Sequence, residues 1–371
     1  MGVRQRVEIL KALYRGVQIL ILDEPTTNLT PQEVDSLFMS LRVMVNEGMS
    51  VVFITHKLRE VMSVCDRITV LRDGVSVLTT PRRAASEESL VQAMVGEGLD
   101  VQKSLLFSGG AARAESPVGS EVVLSVEDLT VPGEGGAAAL NGVSFRVHGG
   151  EIFGVAGVAG NGQLALAESI IGQRPFLQGT VRIGQTDVRT TPTVELLKEQ
   201  VTYIPEDRLH DGFLPRASVA HNLILGFHRK PPYHRNGFLN WKVIRSAARR
   251  LIAEYNIRTP GPDDTGANLS GGNIQRVMIA RAFSYPAQLL VAHNPTRGLD
   301  IPSMEFVYGK LLARKEAGGA TLLISEDLDE LMLLCDRIAT LYRGRIVGIL
   351  PREAFDKYQI GRMMSGASLA D

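Results

Sequence analysis

Apolar runs that stop at acidic or turn residues alternate along this chain with stretches of helical period. Val17 to Leu22 is a continuous apolar run ending at Asp23, the pattern of a buried parallel strand. A helix is expected near Pro31 to Asn46, a second strand over 50–54, and a helix through Leu58 to Val64. Residues 67–77 predict a terminal strand pair turning at Asp73-Gly74. Such alternation of strands and helices predicts an α/β fold. Periodicity is lost over 98–120, where Gly, Ala, Ser and Pro accumulate as in a linker. Short strands resume at 122–126 and 143–147, with a turn at Gly149-Gly150. The run from Ile152 to Val155 leads directly into a glycine-rich loop and a helix. A strand over Val201 to Ile204 precedes a helix-rich insertion that ends near Asn268.

The same pattern then returns. Residues 5–75 and 275–345 align without gaps at an offset of 270. Gln5-Arg6-Val7 matches Gln275-Arg276-Val277, Pro25-Thr26 matches Pro295-Thr296, and Cys65-Asp66-Arg67-Ile68 matches Cys335-Asp336-Arg337-Ile338. So long a period marks a duplicated domain, not a solenoid. The copies differ where chemistry would sit. Asp23-Glu24 of the first becomes His293-Asn294 in the second, and His56 becomes Glu326. The second copy also has about 150 residues before its repeat that find no counterpart ahead of residue 1. The expected division is therefore 1–97 for the later part of a first module, 98–120 for a linker and 121–371 for a complete second module.

Composition narrows the class. A chain of 371 residues suggests two or three domains. Its 40 Lys and Arg balance 40 Asp and Glu, which argues against nucleic-acid binding through a global positive field. The most basic stretch, 229–250 around Trp241, reads as a solvated face. The two cysteines, Cys65 and Cys335, occupy equivalent positions and are expected to be small buried thiols in a reducing compartment. No apolar run approaches the ~18 residues of a membrane span, and the charged N-terminus does not resemble a signal peptide.

Three constellations carry candidate chemistry. In Leu269-Ser270-Gly271-Gly272-Asn273-Ile274-Gln275, a serine and paired glycines open a helix, exposing amides that suit phosphate oxygens. The plainer alternative is a serine cap on an ordinary helix. Gly157-Val158-Ala159-Gly160-Asn161-Gly162-Gln163-Leu164 follows a strand, where a phosphate loop belongs. Gln163 replaces the usual lysine, and Leu164 lacks the hydroxyl used for Mg²⁺. A charge-assisted hydrogen bond contributes about 1.5–3 kcal/mol against about 1 for a neutral one, so phosphate binding should be weakened. Asp23-Glu24 has the arrangement of a Mg²⁺-holding aspartate and a carboxylate that polarises water. His56, at the end of the next strand, is placed to hold a γ-phosphate. Separately, Asp23 reads as a helix cap and His56 as a core histidine. By the same logic, His293, Asn294 and Glu326 leave the second copy unfit for hydrolysis.

Together these strings resemble the ATP-binding-cassette ATPases, and more narrowly the fused two-cassette subunit of bacterial importers for simple sugars and nucleosides. The signature at 269–275, Gly-Asn-Gly-Gln at 160–163, the run from Pro25 to Glu33, and Pro205-Glu206-Asp207-Arg208 at the Q-loop position all follow that group. Arg258 to Asp263 and Asn294 to Asp300 lean toward its nucleoside branch. The resemblance implies a P-loop NTPase cassette with a RecA-like parallel sheet, an antiparallel β subdomain and a helical subdomain: one half cassette plus one complete cassette. It implies ATP and Mg²⁺, with Glu24 and His56 catalytic and Asp23 on the metal. Gly157, Gly160, Asn161, Gly162, Gln163, Leu164, Ser270, Gly271, Gly272 and Gln275 would be nucleotide-binding residues. Implied partners are transmembrane permease subunits and a substrate-binding protein, at the cytoplasmic face of the bacterial inner membrane, with no nucleic acid.

Met1 stands where the group usually has Val, which implies a start assigned at a GUG codon within a longer reading frame. Genomic sequence without in-frame coding upstream would exclude that. Without a lysine-bearing phosphate loop, the polypeptide alone is expected to have negligible ATPase activity. Two other classes stay open. A soluble tandem cassette acting on ribosomes or DNA should show two competent sites and a basic arm, and neither is present. A non-functional fragment would keep only weak nucleotide binding in its second cassette. Neighbouring permease and lipoprotein genes would separate these.

Overall fold

A computed structural model describes residues 16–27, 29–72, 74–96, 118–133 and 137–367, with Val7, Lys11, Tyr14 and Leu105. Residues 1–6, most of the linker (98–104 and 106–117) and Asp73 of the first turn lie outside the described residues.

The first copy comprises β1 (Ile19–Asp23), α1 (Pro31–Asn46), β2 (Ser50–Ile54), α2 (Leu58–Val64), β3 (Arg67–Arg72), β4 (Val75–Pro81) and α3 (Glu87–Val95). Proline opens α1, where its missing N–H costs nothing, and the Glu33 carboxylate accepts from Thr30 N–H at 3.0 Å. β1 and β2 pair in parallel, while β3 and β4 form a separate antiparallel pair.

The second copy starts with β5 (Val122–Pro132), β6 (Ala138–His148) and β7 (Ile152–Ala156), followed by α4 (Gln163–Ile170), β8 (Gln178–Ile183), β9 (Thr186–Asp187), α5 (Thr193–Glu199) and β10 (Val201–Ile204). β5 and β6 run longer than the sequence pattern indicates, because several register shifts carry their pairing through breaks in the alternation. The insertion holds α6 (Val219–Leu223), the small hairpin β11 (His234–Arg235) with β12 (Phe238–Leu239), and α7 (Trp241–Glu254). Ile244, Ala248 and Leu251 form the buried stripe of α7, and its Arg245 and Arg250 pair outward with Asp263 and Glu254. After α8 (Gly271–Phe283) come β13 (Leu289–His293), α9 (Ile301–Glu316), β14 (Ala320–Ser325), α10 (Leu328–Leu334), β15 (Arg337–Tyr342), β16 (Arg345–Pro351) and α11 (Lys357–Met364).

Six strands form the main sheet in the order β10-β13-β14-β7-β15-β16, all parallel except β16. The antiparallel sheet β6-β5-β8-β9 packs beside it, so the fold is the expected α/β cassette with an added β layer.

The repeat holds down to local irregularities. The β3–β4 and β15–β16 pairs shift register at Val70/Leu71 and Thr340/Leu341. Burial differs, however. In β13, Leu289 and Val291 are fully covered, but their counterparts Ile19 and Ile21 are 62% and 65% exposed. The expectation that 17–22 is a buried strand is thus met on one face only, by Leu20 and Leu22. The physical reason is the covering layer: Leu289 and Val291 pack into one core with β5, β6, β8 and α4, and the described residues of the first copy hold no such layer. A central strand differs too, because β7 joins β14 to β15 in the second copy. Among the described residues of the first, no strand lies between β2 and β3. The cysteines follow the same rule. A Cβ on Gly154 of β7 would come within 2.7 Å of Cys335 Sγ, so that glycine lets the thiol pack tightly and Cys335 is fully buried. Cys65 faces no such strand and is only half-buried, a correction to the expected pair of buried thiols.

Candidate functional site

In the first copy, Asp23 ends β1 and Glu24 follows in the left-handed region at φ 45°. For a non-glycine residue this backbone costs about 1–3 kcal/mol and persists only where its surroundings enforce it. Here Glu24 N–H donates to Ile54 O at 2.9 Å, which extends the parallel ladder by one bond. The turn brings Glu24 Oε1 to 2.8 Å from His56 Nδ1. That hydrogen bond, outweighing burial, holds the His56 imidazolium above its ordinary pKa. Glu24 Oε2 is buried without a hydrogen-bond partner, and the Asp23 side chain is exposed beside it. Glu60 braces the turn by accepting from the Thr26 hydroxyl at 2.8 Å. Glu24 and His56 therefore meet, with Asp23 exposed at the preceding position.

The second copy keeps this scaffold with other chemistry. Asn294 has φ 46° and donates from N–H to Ile324 O at 2.8 Å, while Thr296 donates to Glu330 at 2.6 Å. A residue the sequence reading gave no role, Glu206, occupies the centre. It accepts from Asn294 Nδ2 at 3.1 Å, pairs with Arg297, and lies 3.5 Å from His293 Nε2. His293 is buried, and loss of solvent pushes its pKa down. Burial, then the nearby Glu206, pushes Glu326 up to about 7. The only sequence hint to Glu206 was its place in the Pro-Glu-Asp-Arg string.

A raised carboxyl pKa favours the folded state at low pH, and that contribution is lost as pH rises through about 7. Glu326→Gln should therefore raise the thermal midpoint at pH 8 and change it little at pH 5. An equal shift at both pH values in melts of the purified chain would refute this.

The glycine-rich loop is built as expected, but its Asn161 and Gln163 side chains turn back onto the loop itself. Gly162 sits at φ 112°, and a Cβ there would meet Ala139 O at 2.6 Å, so glycine is required. Gln163 Oε1 accepts from Asn161 N–H at 3.0 Å and its Nε2 donates to Val158 O at 2.9 Å. The amide expected to stand in for a lysine thus pins the loop to itself, because a short neutral side chain finds nearer partners in the backbone. Asn161 Nδ2 also donates to Val158 O at 2.8 Å, its Oδ1 accepts from Arg343 N–H, and Leu164 is exposed.

At the signature, Ser270 starts α8 without capping it, since its Oγ accepts from Asn273 Nδ2 at 2.9 Å. Ser270 and Gly271 are exposed and Gly272 is half-exposed, so this face is open to a ligand. Gln275 is different. It is buried, and its amide donates to Pro295 O, tying α8 to the loop after β13. Arg208 donates to Gly271 O at 3.2 Å and to Arg297 O, a second tie that the sequence did not reveal. Among the described residues, no hydrogen bond or ion pair joins Glu24 or His56 to Ser270, Gly271 or Gly272.

A family model described as ABC transporter matches residues 140–297. The nucleoside import ATP-binding protein NupA of Lactococcus lactis subsp. cremoris is 38% identical over 99% of this chain and 71% of its own length. The chain belongs to the ABC transporter ATP-binding family. The glucose import ATP-binding protein TsgD13 of Haloferax volcanii is 39% identical over 98% of the chain, which spans 65% of that relative. The fold also matches the ATP-binding cassette MJ0796, solved as a dimer with ADP and Pi. That match has a TM-score of 0.55 at 21% identity and covers 62% of this chain and 100% of that one. ABC cassettes bind ATP. Among the described residues, no helix is long and apolar enough to cross a membrane.

Proposed function

We propose that this chain is the ATP-binding subunit of an ABC importer of nucleosides or simple sugars, working peripherally at the bacterial inner membrane with permease subunits and a substrate-binding protein. Residues 1–97 supply the later part of a first cassette and 121–371 a second, degenerate one. The observation that carries this reading is the unequal pair of sites: Glu24 pairs with His56 in one copy, and in the other Glu206 bonds Asn294, the residue at the matched position. The relatives' names supply the transported classes.

In this mechanism Glu24 takes a proton from the attacking water, and His56 Nδ1–H orients its carboxylate, leaving Nε2 for the γ-phosphate. Ser270, Gly271 and Gly272 of the second copy close over the phosphates from the opposite side. Mg²⁺ fits the first copy alone: Asp23 presents an exposed carboxylate oxygen, whereas His293 is buried against Glu206. Such an ion would supply neutralisation of the phosphate charge. Gly157, Gly160 and Gly162 serve a second nucleotide weakly, through backbone amides without a cation, since the Asn161 amide is already taken by Gln163.

The test is uptake. Cells expressing the intact subunit with its neighbouring permease genes should accumulate a labelled nucleoside or pentose, and cells lacking the subunit should not. Equal uptake in both, or activity only on ribosomes or DNA, would reject the proposal.

A further inference from the structure

The two copies meet at positions that are duplicates of each other. Lys57 Nζ lies 3.9 Å from Asp327 Oδ2, and Arg59 Nη1 lies 3.8 Å from Asp329 Oδ1. Under the offset that relates the copies, position 57 corresponds to 327 and position 59 to 329. In a two-fold arrangement a residue faces its own duplicate only close to the axis, so these two contacts mark a local axis of pairing. Both sites sit at the start of equivalent helices, α2 and α10. The contact continues where Gln32 Nε2 donates to Tyr358 O at 2.7 Å and Tyr358 OH donates to Asp35 Oδ2 at 3.1 Å.

The signs are opposite at both axial positions, and identity alone did not require that. Glu60, 3.9 Å from Lys57, keeps its duplicate Glu330, so the neighbourhood has not simply drifted. A third reversal accompanies the two. Lys357 pairs with Asp329 at 2.8 Å, and its duplicate in the first copy is Glu87. His56 adds its influence on Asp327, again as a positive group on the first side. A first copy meeting another first copy would set Lys57 against Lys57 and Arg59 against Arg59. Two second copies would set aspartates against aspartates. Like charges juxtaposed across an interface suppress the wrong partner, while opposite charges fix the register.

We propose that this exchange of charge at the local axis directs each copy to pair with the other half of the duplication and prevents pairing with its like on a second chain. Duplicated faces retain similar shape, so shape alone would leave both pairings open. The inference depends on the duplication and not on what is transported, so failed uptake would leave it standing.

The test uses two altered chains. An acidic chain carries Lys57→Asp with Arg59→Asp, and a basic chain carries Asp327→Lys with Asp329→Lys. In each, hydrogen exchange over 31–46 and 357–364 should quicken roughly tenfold or more as the copies separate. The chain with all four changes should recover the original rates, which shows that each altered half still folds. Mixed in equal amounts, the acidic and basic chains should form a heterodimer in native mass spectrometry that neither forms alone. Unchanged exchange in the two-site variants, no recovery in the four-site chain, or no heterodimer in the mixture would each overturn the proposal.

Discussion

ATP hydrolysis by the intact importer should fall roughly 10²–10⁴-fold when Glu24 is changed to Gln, with nucleotide binding retained. The amide matches the carboxylate in size and tolerates the same φ of 45°, so the turn after β1 survives. What is lost is the ability to accept a proton. The same variant removes the largest cause of the raised His56 pKa, so an NMR titration should show that histidine moving down toward 6.5. Hydrolysis within a fewfold of the unaltered protein, by phosphate release at saturating ATP, would exclude Glu24 as the base. Asn294→Glu should create no second hydrolytic site, because His293 still stands where Asp23 stands in the first copy and Glu206 still fills the space beside it.

Lys315→Met should destabilise the second cassette by roughly 3–5 kcal/mol at neutral pH, the usual consequence of leaving one partner of a buried ion pair uncompensated. Lys315 is 4% exposed, and its Nζ lies 2.6 Å from Asp336 Oδ1. Asp336 Oδ2 accepts from Ile152 N–H at 2.9 Å, so this carboxylate fastens the start of the central strand β7 to the turn before β15. Removing only the lysine leaves the half-buried carboxylate hydrogen-bonded to Ile152 N–H but without the Lys315 charge. Adding Asp336→Asn should recover much of the loss. Urea unfolding followed by intrinsic fluorescence measures both. A loss below about 1 kcal/mol would mean that water already reaches the pair.

Much of this was legible in one dimension. Strands buried on both faces write themselves as unbroken apolar runs, so β7 could be placed to within a residue, and the repeat carries the runs of β1 and β2 onto β13 and β14. The duplication exposed the chemical asymmetry directly, since Asp23, Glu24 and His56 could be compared with His293, Asn294 and Glu326 at matched positions. The burial of β1 was misjudged because an apolar run records the face a strand is meant to cover, whereas its exposure depends on the elements packed beside it. Gln163 was assigned to phosphate from its position in the loop. Its direction was settled by Asn161 N–H and Val158 O, partners two and five residues away.

By itself, the order of residues determined the α/β repeat, the family, and which copy retains an acid pair at the end of its strand. All of these depend on local pattern or on residue identity at a matched position. Only the tertiary structure decided that Glu206 enters the degenerate site, that Gln275 and Arg208 brace the signature, and that Lys57 meets Asp327. These contacts join residues between 20 and 270 positions apart along the chain. Their partners are selected by how sheets and helices stack, and no periodicity in the sequence records that.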